Sequence, residues 1–209
     1  MIEYITLKGR GESLLIEKKS RFIGHAAPVS SKEEALSFIE SIRNEYKDAS
    51  CNATAYNIRT GNLTHSSDDG EPSGTAGLPA LETLVKANIV DAVVVVTRYY
   101  GGTPLGAGGL IRAYSSTASA ALRDATVVLM TQCVVYDVTT PYSEYNRLLQ
   151  LLESMKIIIR ERDFLDKVIL SCVTKKDNEE NFIKELTEFF RGDTEISFIN
   201  EEFLPLEIS

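Results

Sequence analysis

Tryptophan is absent from the sequence, and histidine and cysteine are scarce, with two and three residues respectively. His25 and His65 are far apart, and neither has a metal-ligand partner at helical spacing. The cysteines are odd in number and form no CxxC pair, which does not fit a disulfide framework. We therefore expect no metal and no cofactor, and we expect Cys51, Cys133 and Cys172 to be reduced, mostly buried thiols.

Long apolar runs are also absent. The longest run of valines, residues 93–96, has the length of a strand, whereas a membrane-spanning helix needs about 18 apolar residues. The first ten residues lack the basic-then-apolar order of a signal peptide. These features exclude a membrane partner and predict a cytoplasmic location.

Positive charge is in short supply over the 209 residues, whose net charge is −8. This balance excludes a protein that grips nucleic acid along an extended basic surface. Residues 1–130 hold 13 Lys and Arg against 14 Asp and Glu, whereas residues 131–209 hold 9 against 16. The asymmetry predicts two units with different surfaces, within a composition that is ordinary for a globular chain.

The second unit has the clearer pattern, βαββαβ, which is that of a ferredoxin-like domain. Thr140 with Pro141 predicts a helix start, Asp177 with Glu180 is a capping box, and Gly192 predicts a helix end. Strands are predicted over 132–139, 156–164, 167–175 and 195–203, and helices over 141–153 and 177–192.

The first unit mixes strands and helices, so the whole chain is predicted to be α+β with two domains, 1–130 and 131–209. Residues 60–73 are polar and rich in turn formers, which predicts a long functional loop. Strands are predicted over 4–7, 13–17, 21–26, 52–59 and 92–97, and helices after Ser31 and over 76–87 and 110–123.

Two glycine-rich motifs stand out, SDDGEPSGTAG at 67–77 and RYYGGTPLGAGGLIRAYSS at 98–116. In the second, a buried strand leads through five glycines into a helix, so backbone amides can converge beside the positive end of the helix dipole. Arg98 and Arg112 flank this loop and can each bind a phosphate or carboxylate. The predicted anion-binding residues are Asp68, Asp69, Gly70, Glu71, Ser73, Gly74, Thr75, Arg98, Tyr99, Tyr100, Gly101, Gly102, Gly106, Gly108, Gly109 and Arg112.

Structural interpretations of the same residues stay open. Glycines are also required where φ is positive or where elements pack closely. Asp68, Asp69 and Glu71 could hold a divalent metal, but an Asp-Asp-Gly turn is more typical of a solvated turn, and the carboxylates could instead pair with the two arginines. Neither GxxxxGK[ST] nor a continued GxGxxG is present.

Catalysis has a weaker basis. A Cys51 nucleophile with His25 or His65 as base stays open, since such groups can meet in space, although a small buried thiol on a strand is the commoner arrangement. The motif serines lie in no GxSxG elbow. We therefore assign no catalytic residue.

Three segments, SRFIGHAAPV (20–29), DDGEPSGTAG (68–77) and RYYGGTPLGAGGLIRAY (98–114), resemble the YigZ/Impact family in order and spacing. The resemblance covers residues 16–125 closely. It implies an N-terminal domain with the α/β-sandwich fold of a ribosomal-protein domain, and a C-terminal domain similar to the last domain of the translocation elongation factor. Matching family positions are Asp68, Asp69, Gly70, Glu71, Pro72, Gly74, Thr75, Gly77, Arg98, Tyr99, Gly101, Gly102, Leu105, Gly106, Gly108, Gly109, Arg112, Ala113 and Tyr114.

The resemblance implies a cytoplasmic protein linked to translation. We expect a noncatalytic binding protein that recognises RNA phosphate or an acidic protein segment, with RNA, the ribosome or a translation-associated protein as partner. The alternative is a phosphoryl-transfer enzyme, because small-molecule kinases share the fold. The family pattern DAxHNCxAY is DASCNATAY here, with Cys51 and Ala53 in place of His and Cys. This departure weakens the hypothesis of an enzyme that uses a Cys/His pair. The oligomeric state is left open.

Overall fold

The computed structural model describes residues 3–192 and 195–206. The chain divides into two compact units, Tyr4–Leu129 and Met130–Leu206 together with Glu3. Both mix strands and helices, as predicted for an α+β chain. In the described part, no helix is both long and apolar enough to cross a membrane.

The first unit is built on an antiparallel sheet with the strand order β2-β3-β6-β4-β5. Its strands are β1 (Glu3–Leu7), β2 (Gly11–Glu17), β3 (Ser20–Pro28), β4 (Cys51–Ile58), β5 (Leu63–Ser67) and β6 (Ala92–Tyr99), and its helices are α1 (Lys32–Glu45), α2 (Gly77–Lys86) and α3 (Ala107–Asp124). β1 lies outside this sheet.

The central strand β6 explains the layering. Its β-branched side chains suit a strand buried on both faces, and Val93 to Val96 are fully buried. Because side chains alternate along a strand, Val94 and Val96 pack in the core under α2 and α3, whereas Val93 and Val95 pack under α1. The result is a sandwich of one sheet between two helical layers.

A tight hairpin joins β2 to β3. Lys18 and Lys19 both have positive φ, at 45° and 66°, as a two-residue type I′ turn requires. The turn sets Glu17 opposite Ser20, and the pairing continues to Gly11 opposite Ala26. The hairpin therefore fixes which β2 side chains face each side of the sheet.

The predicted 60–73 loop is partly wrong, because residues Leu63–Ser67 form β5 and pair with β4. The strand alternates weakly and ends in two serines, so its composition is that of a loop. Helix α3 also begins earlier than predicted, at Ala107, because Gly106 supplies the positive φ of 73° that ends the preceding loop.

The second unit pairs β9 with both β7 and β8, and β10 with β7, as expected for a split βαβ arrangement. Its elements are β7 (Val127–Thr140), α4 (Tyr145–Ser154), β8 (Ile158–Phe164), β9 (Val168–Lys175), α5 (Glu179–Phe189) and β10 (Glu195–Leu206). Both helices pack on one face, where Leu148, Leu152, Phe182 and Leu186 are fully buried. The ferredoxin-like prediction is confirmed.

Two helix starts in this unit differ from the predictions. A turn from Pro141 to Glu144 precedes α4, which begins at Tyr145. Asp177 lies in a short 3-10 turn, and Asn178 caps α5 without a side-chain bond, so no capping box forms. Beside this turn the Lys176 ammonium binds the carboxylates of Glu179 and Glu201, each at 2.6 Å.

Candidate functional site

The first motif loop is folded around Asp68. One carboxylate oxygen accepts hydrogen bonds from the amides of Ala76 and Gly77, each at 2.9 Å, and the other accepts from Gly74 at 2.8 Å. Burial opposes ionisation, but the three amides outweigh it and lower the pKa of Asp68. The chain's own carboxylate therefore occupies the N-terminus of α2.

The neighbouring Asp69 is also held by the protein. Its carboxylate accepts from the Asn52 amide at 2.7 Å and from the Arg43 guanidinium at 3.1 Å. Glu71 N donates to the Asp68 carbonyl at 3.0 Å and closes the turn. The solvated-turn interpretation understates this order, because both aspartates bind the backbone.

A buried ion pair connects the two motifs. Arg98 Nη1 lies 2.5 Å from Glu71 Oε1, and the two side chains are only 8% and 9% exposed. The Tyr114 hydroxyl donates to the same carboxylate oxygen at 2.9 Å. The Arg98 guanidinium also lies 5.4 Å from the ring centroid of Phe22 and 5.3 Å from that of Tyr100. Arg98 is thus a buried connector, and it does not flank an exposed anion site as the sequence suggested.

Cys51 borders this network. Its thiol donates to the Asp68 carbonyl at 3.3 Å, and the Tyr114 hydroxyl lies 3.4 Å from its sulfur. Burial raises the pKa of Cys51 to about 11, so the thiolate is rare at neutral pH. His25 lies on the sheet face under Tyr46, and His65 stacks on Tyr56. Within residues 3–192 and 195–206 neither histidine contacts Cys51, so the nucleophile with a His base does not form.

The N-terminus of α3 contrasts with that of α2. Gly106 is its N-cap, with no side-chain cap and no acidic residue in the first turn. The amides of Gly109 and Leu110 already donate to the Gly106 carbonyl, at 3.1 and 3.0 Å. Among the described residues, nothing accepts from the amides of Gly106, Ala107 and Gly108, and all three residues are exposed. This helix end therefore presents free donors to solvent.

Arg112 lies one turn further along α3 and is exposed. A Cβ added at Gly108 would lie 3.6 Å from Arg112 Nη1, so the guanidinium extends back over the first turn. No carboxylate of the described chain pairs with it. Arg112 and the free amides together form a cationic, donor-rich surface, which we call the α3 rim (residues 106–108 and 112).

The remaining predicted site residues divide between structure and surface. Gly70, Ser73 and Gly102 are exposed, and Tyr100 is half exposed. The other three have hydrogen-bond partners inside the protein. The Gly101 amide donates to Ser20 Oγ at 3.1 Å, the Thr75 hydroxyl donates to the Pro72 carbonyl at 2.6 Å, and the Tyr99 hydroxyl donates to Asp48 at 2.8 Å.

Sequence reasoning missed the residues that hold the loops in place. Ser50 accepts from the Tyr100 amide at 3.0 Å, Ser20 accepts from Gly101, and Arg43 binds Asp69. Ser20 opens the first family-like segment, which was the available signal; Arg43 and Ser50 carry none. In the described residues no cluster of three or more His, Cys, Asp or Glu side chains could hold a metal ion.

Comparison with known proteins adds family information. The model of the Impact N-terminal domain matches residues 18–122, and that of a domain of unknown function (DUF1949) matches residues 138–193. IMPACT family member YvyE of Bacillus subtilis is 36% identical over 194 residues, covering 92% of this chain and 89% of the relative. IMPACT family member YigZ of Escherichia coli is 34% identical over 187 residues, covering 88% and 92%.

A solved structure is similar as well. It is described as the crystal structure of a hypothetical protein and is 32% identical, with a TM-score of 0.60. The match covers 96% of this chain and 98% of the other. The similarity therefore extends over both units and is not confined to the two motifs.

Proposed function

The chain belongs to the IMPACT family, and from that premise we propose that it is a noncatalytic, cytoplasmic binding protein of translation. We propose that its α3 rim binds a phosphate group of RNA, with the ribosome as the natural source of that RNA. The observation that carries this proposal is the uncapped N-terminus of α3 with Arg112 folded over it.

Electrostatics favour an anion at this position. A helix N-terminus carries about half a positive charge and offers unpaired amides, and the Arg112 guanidinium adds a full charge. The acidic residues of the first motif do not cancel it, because Asp68 binds three amides and Glu71 pairs with Arg98. The motif carboxylates are thus engaged internally, while the α3 donors are open.

The buried network favours a binding role over catalysis. Glu71, Tyr114 and Cys51 are the groups with chemical potential near the motifs, and each has a partner inside the protein. Burial raises the pKa of both Cys51 and Tyr114, which disfavours a nucleophilic anion. These groups position the loops that precede α2 and α3.

The test uses two substitutions at one position. Gly108→Asp places a carboxylate at the donors, where it stabilises the helix by about 0.3–1 kcal/mol but competes with an incoming phosphate. Gly108→Ala is the matched control, because its Cβ meets only the Arg112 side chain. Fluorescence anisotropy with a labelled single-stranded RNA should show binding lost in the aspartate variant and kept in the alanine variant.

Arg112→Ala should weaken binding of single-stranded RNA of any sequence and reduce the salt slope of log K by about 0.7, as expected for one lost phosphate contact. Arg123→Ala, at the other end of the same helix, controls for net charge. Equal RNA affinity in the Arg112→Ala and wild-type proteins would contradict the site. Binding of a polyglutamate peptide but not RNA would instead assign an acidic protein segment as the ligand.

A further inference from the structure

The first unit has two sheet edges that differ in character. The edge strand β5 has five residues and is mostly polar. The opposite edge strand β2 has seven residues, and its Leu14 and Ile16 are 61% and 63% exposed. Proteins usually protect edges with short strands, charges, proline or bulges, because unpaired backbone groups recruit other strands. β2 carries an unprotected aliphatic centre.

The outward backbone groups of β2 are identified by its hairpin. Glu17 and Ser20 flank the two-residue turn, so the backbone of Glu17 faces β3. Alternation then turns the amide and carbonyl groups of Glu12, Leu14 and Ile16 away from the sheet. The Glu12 amide donates to the Asp124 carboxylate at 2.9 Å, which fits this direction. In the described chain, no strand pairs with this edge.

The aliphatic side chains lie on the face away from α3. Ser13 donates to the Thr117 carbonyl of α3 at 2.8 Å, and Leu15 packs against the core under α3. Leu14 and Ile16 therefore point to the opposite face, where the half-buried Ile23 is the cross-strand neighbour of Leu14. The edge and this small apolar surface are continuous.

Charge is distributed unequally along β2. Its first part carries Glu12 with the Asp124 carboxylate beside it, whereas its hairpin end carries Lys18 and Lys19, which outnumber the single acid Glu17 there; all five residues are exposed. An antiparallel partner with the same sequence would bring each acidic end to a basic end. A parallel partner would instead place like charges together. The edge is thus complementary to itself.

We propose that β2 pairs with β2 of a second copy of this chain, antiparallel and about a two-fold axis at Leu15. In this register Leu14 of one copy lies opposite Ile16 of the other, through their outward backbone groups, and Glu12 lies opposite Lys18. The interface is isologous, as most homodimer contacts are. This surface is separate from the α3 rim.

Sedimentation equilibrium from about 1 µM to 1 mM tests the pairing. The mass should rise from 23.1 kDa towards twice that value. Leu14→Lys and Ile16→Lys should each raise the dissociation constant about tenfold or more, equivalent to about 1.4 kcal/mol. Leu63→Lys is the matched control, since Leu63 is exposed on the other edge of the same sheet and should leave association unchanged.

Two further measurements test the register. Lys18→Glu should weaken association, and adding Glu12→Lys should restore it. Amide exchange at Leu14 and Ile16 should slow as protein concentration rises. A chain that stays monomeric, a dimer unaffected by Leu14→Lys, or a double charge reversal without recovery would overturn the proposal. The RNA affinity of dilute Leu14→Lys protein should equal that of the wild-type protein. This measurement separates a failure of the dimer proposal from a failure of the RNA-binding proposal for the α3 rim.

Discussion

The Glu71 carboxylate accepts hydrogen bonds from both Arg98 and Tyr114 inside the first unit. Removing one member of a buried ion pair leaves the other charge buried and unpaired in the protein interior, which costs about 3–5 kcal/mol. Glu71→Ala should therefore lower the free energy of unfolding by that amount in urea titrations. Replacing both partners, as in Glu71→Leu with Arg98→Met, should cost less than Glu71→Ala alone. Additive losses would show that the pair has no mutual dependence.

Asp68 makes the first unit sensitive to acid. Its pKa is lowered in the fold, so its contribution to stability is complete above the unfolded pKa of about 3.9 and is lost as pH falls through the lower folded value. Asp68→Asn should be less stable than wild type at pH 7, and the difference should shrink as urea titrations are repeated below pH 4. The exposed Asp166→Asn is the control. A difference that does not change with pH would contradict this role.

At the scale of elements, two glycines of the second motif have opposite roles. A Cβ at Gly101 would lie 2.1 Å from the Lys19 backbone, whereas a Cβ at Gly108 meets only a flexible side chain. Gly101→Ala should destabilise by about 1–3 kcal/mol, because the backbone must move. Gly108→Ala should stabilise by about 0.5–1 kcal/mol. Thermal unfolding should show a lower Tm for Gly101→Ala and a higher Tm for Gly108→Ala. Tm changes of the same sign in both variants would contradict the difference between the two glycines.

Element types were largely predictable where periodicity is strong. The β-branched run of β6 and the apolar stripe of α1, with Phe38, Ile39 and Ile42 buried, follow directly from the sequence. β5 was not predictable, because Thr64 to Ser67 are ordinary loop residues that become a strand only through pairing with β4. The helix starts of the second unit were predicted less well, because a turn precedes α4 and a short 3-10 turn precedes α5.

At the scale of the whole molecule, all three thiols are buried. Burial raises the pKa of Cys51 to about 11 and that of Cys172 to about 12, and it raises that of Cys133 as well. A thiol reagent at pH 8 should therefore modify none in the native protein and all three in urea. Cys51 belongs to the first unit and the others to the second, so intermediate denaturant should release one or two equivalents according to which opens first. Fast modification of native protein would contradict the burial.

The two motifs were predictable from the sequence, but which of their residues are buried and paired, and which are exposed, was not. Sequence order shows that Glu71 and Arg98 lie in adjacent motifs; it does not show that they pair, since that depends on how β6 and the loop before α2 meet in three dimensions. Arg98 and Arg112 have the same chemistry in the sequence. They differ only in the folded protein, where Arg98 is buried at the end of β6 and Arg112 is exposed on the surface of α3.

The capped start of α2 has a use beyond its own loop. The oxygens of Asp68 lie 2.8 to 2.9 Å from three backbone amides. The protein therefore already contains one carboxylate bound at the N-terminus of a helix that follows a glycine-rich turn. The corresponding end of α3 has the same backbone chemistry without a resident carboxylate. The first helix thus supplies an internal standard for contact lengths, against which density for any anion at the second can be judged.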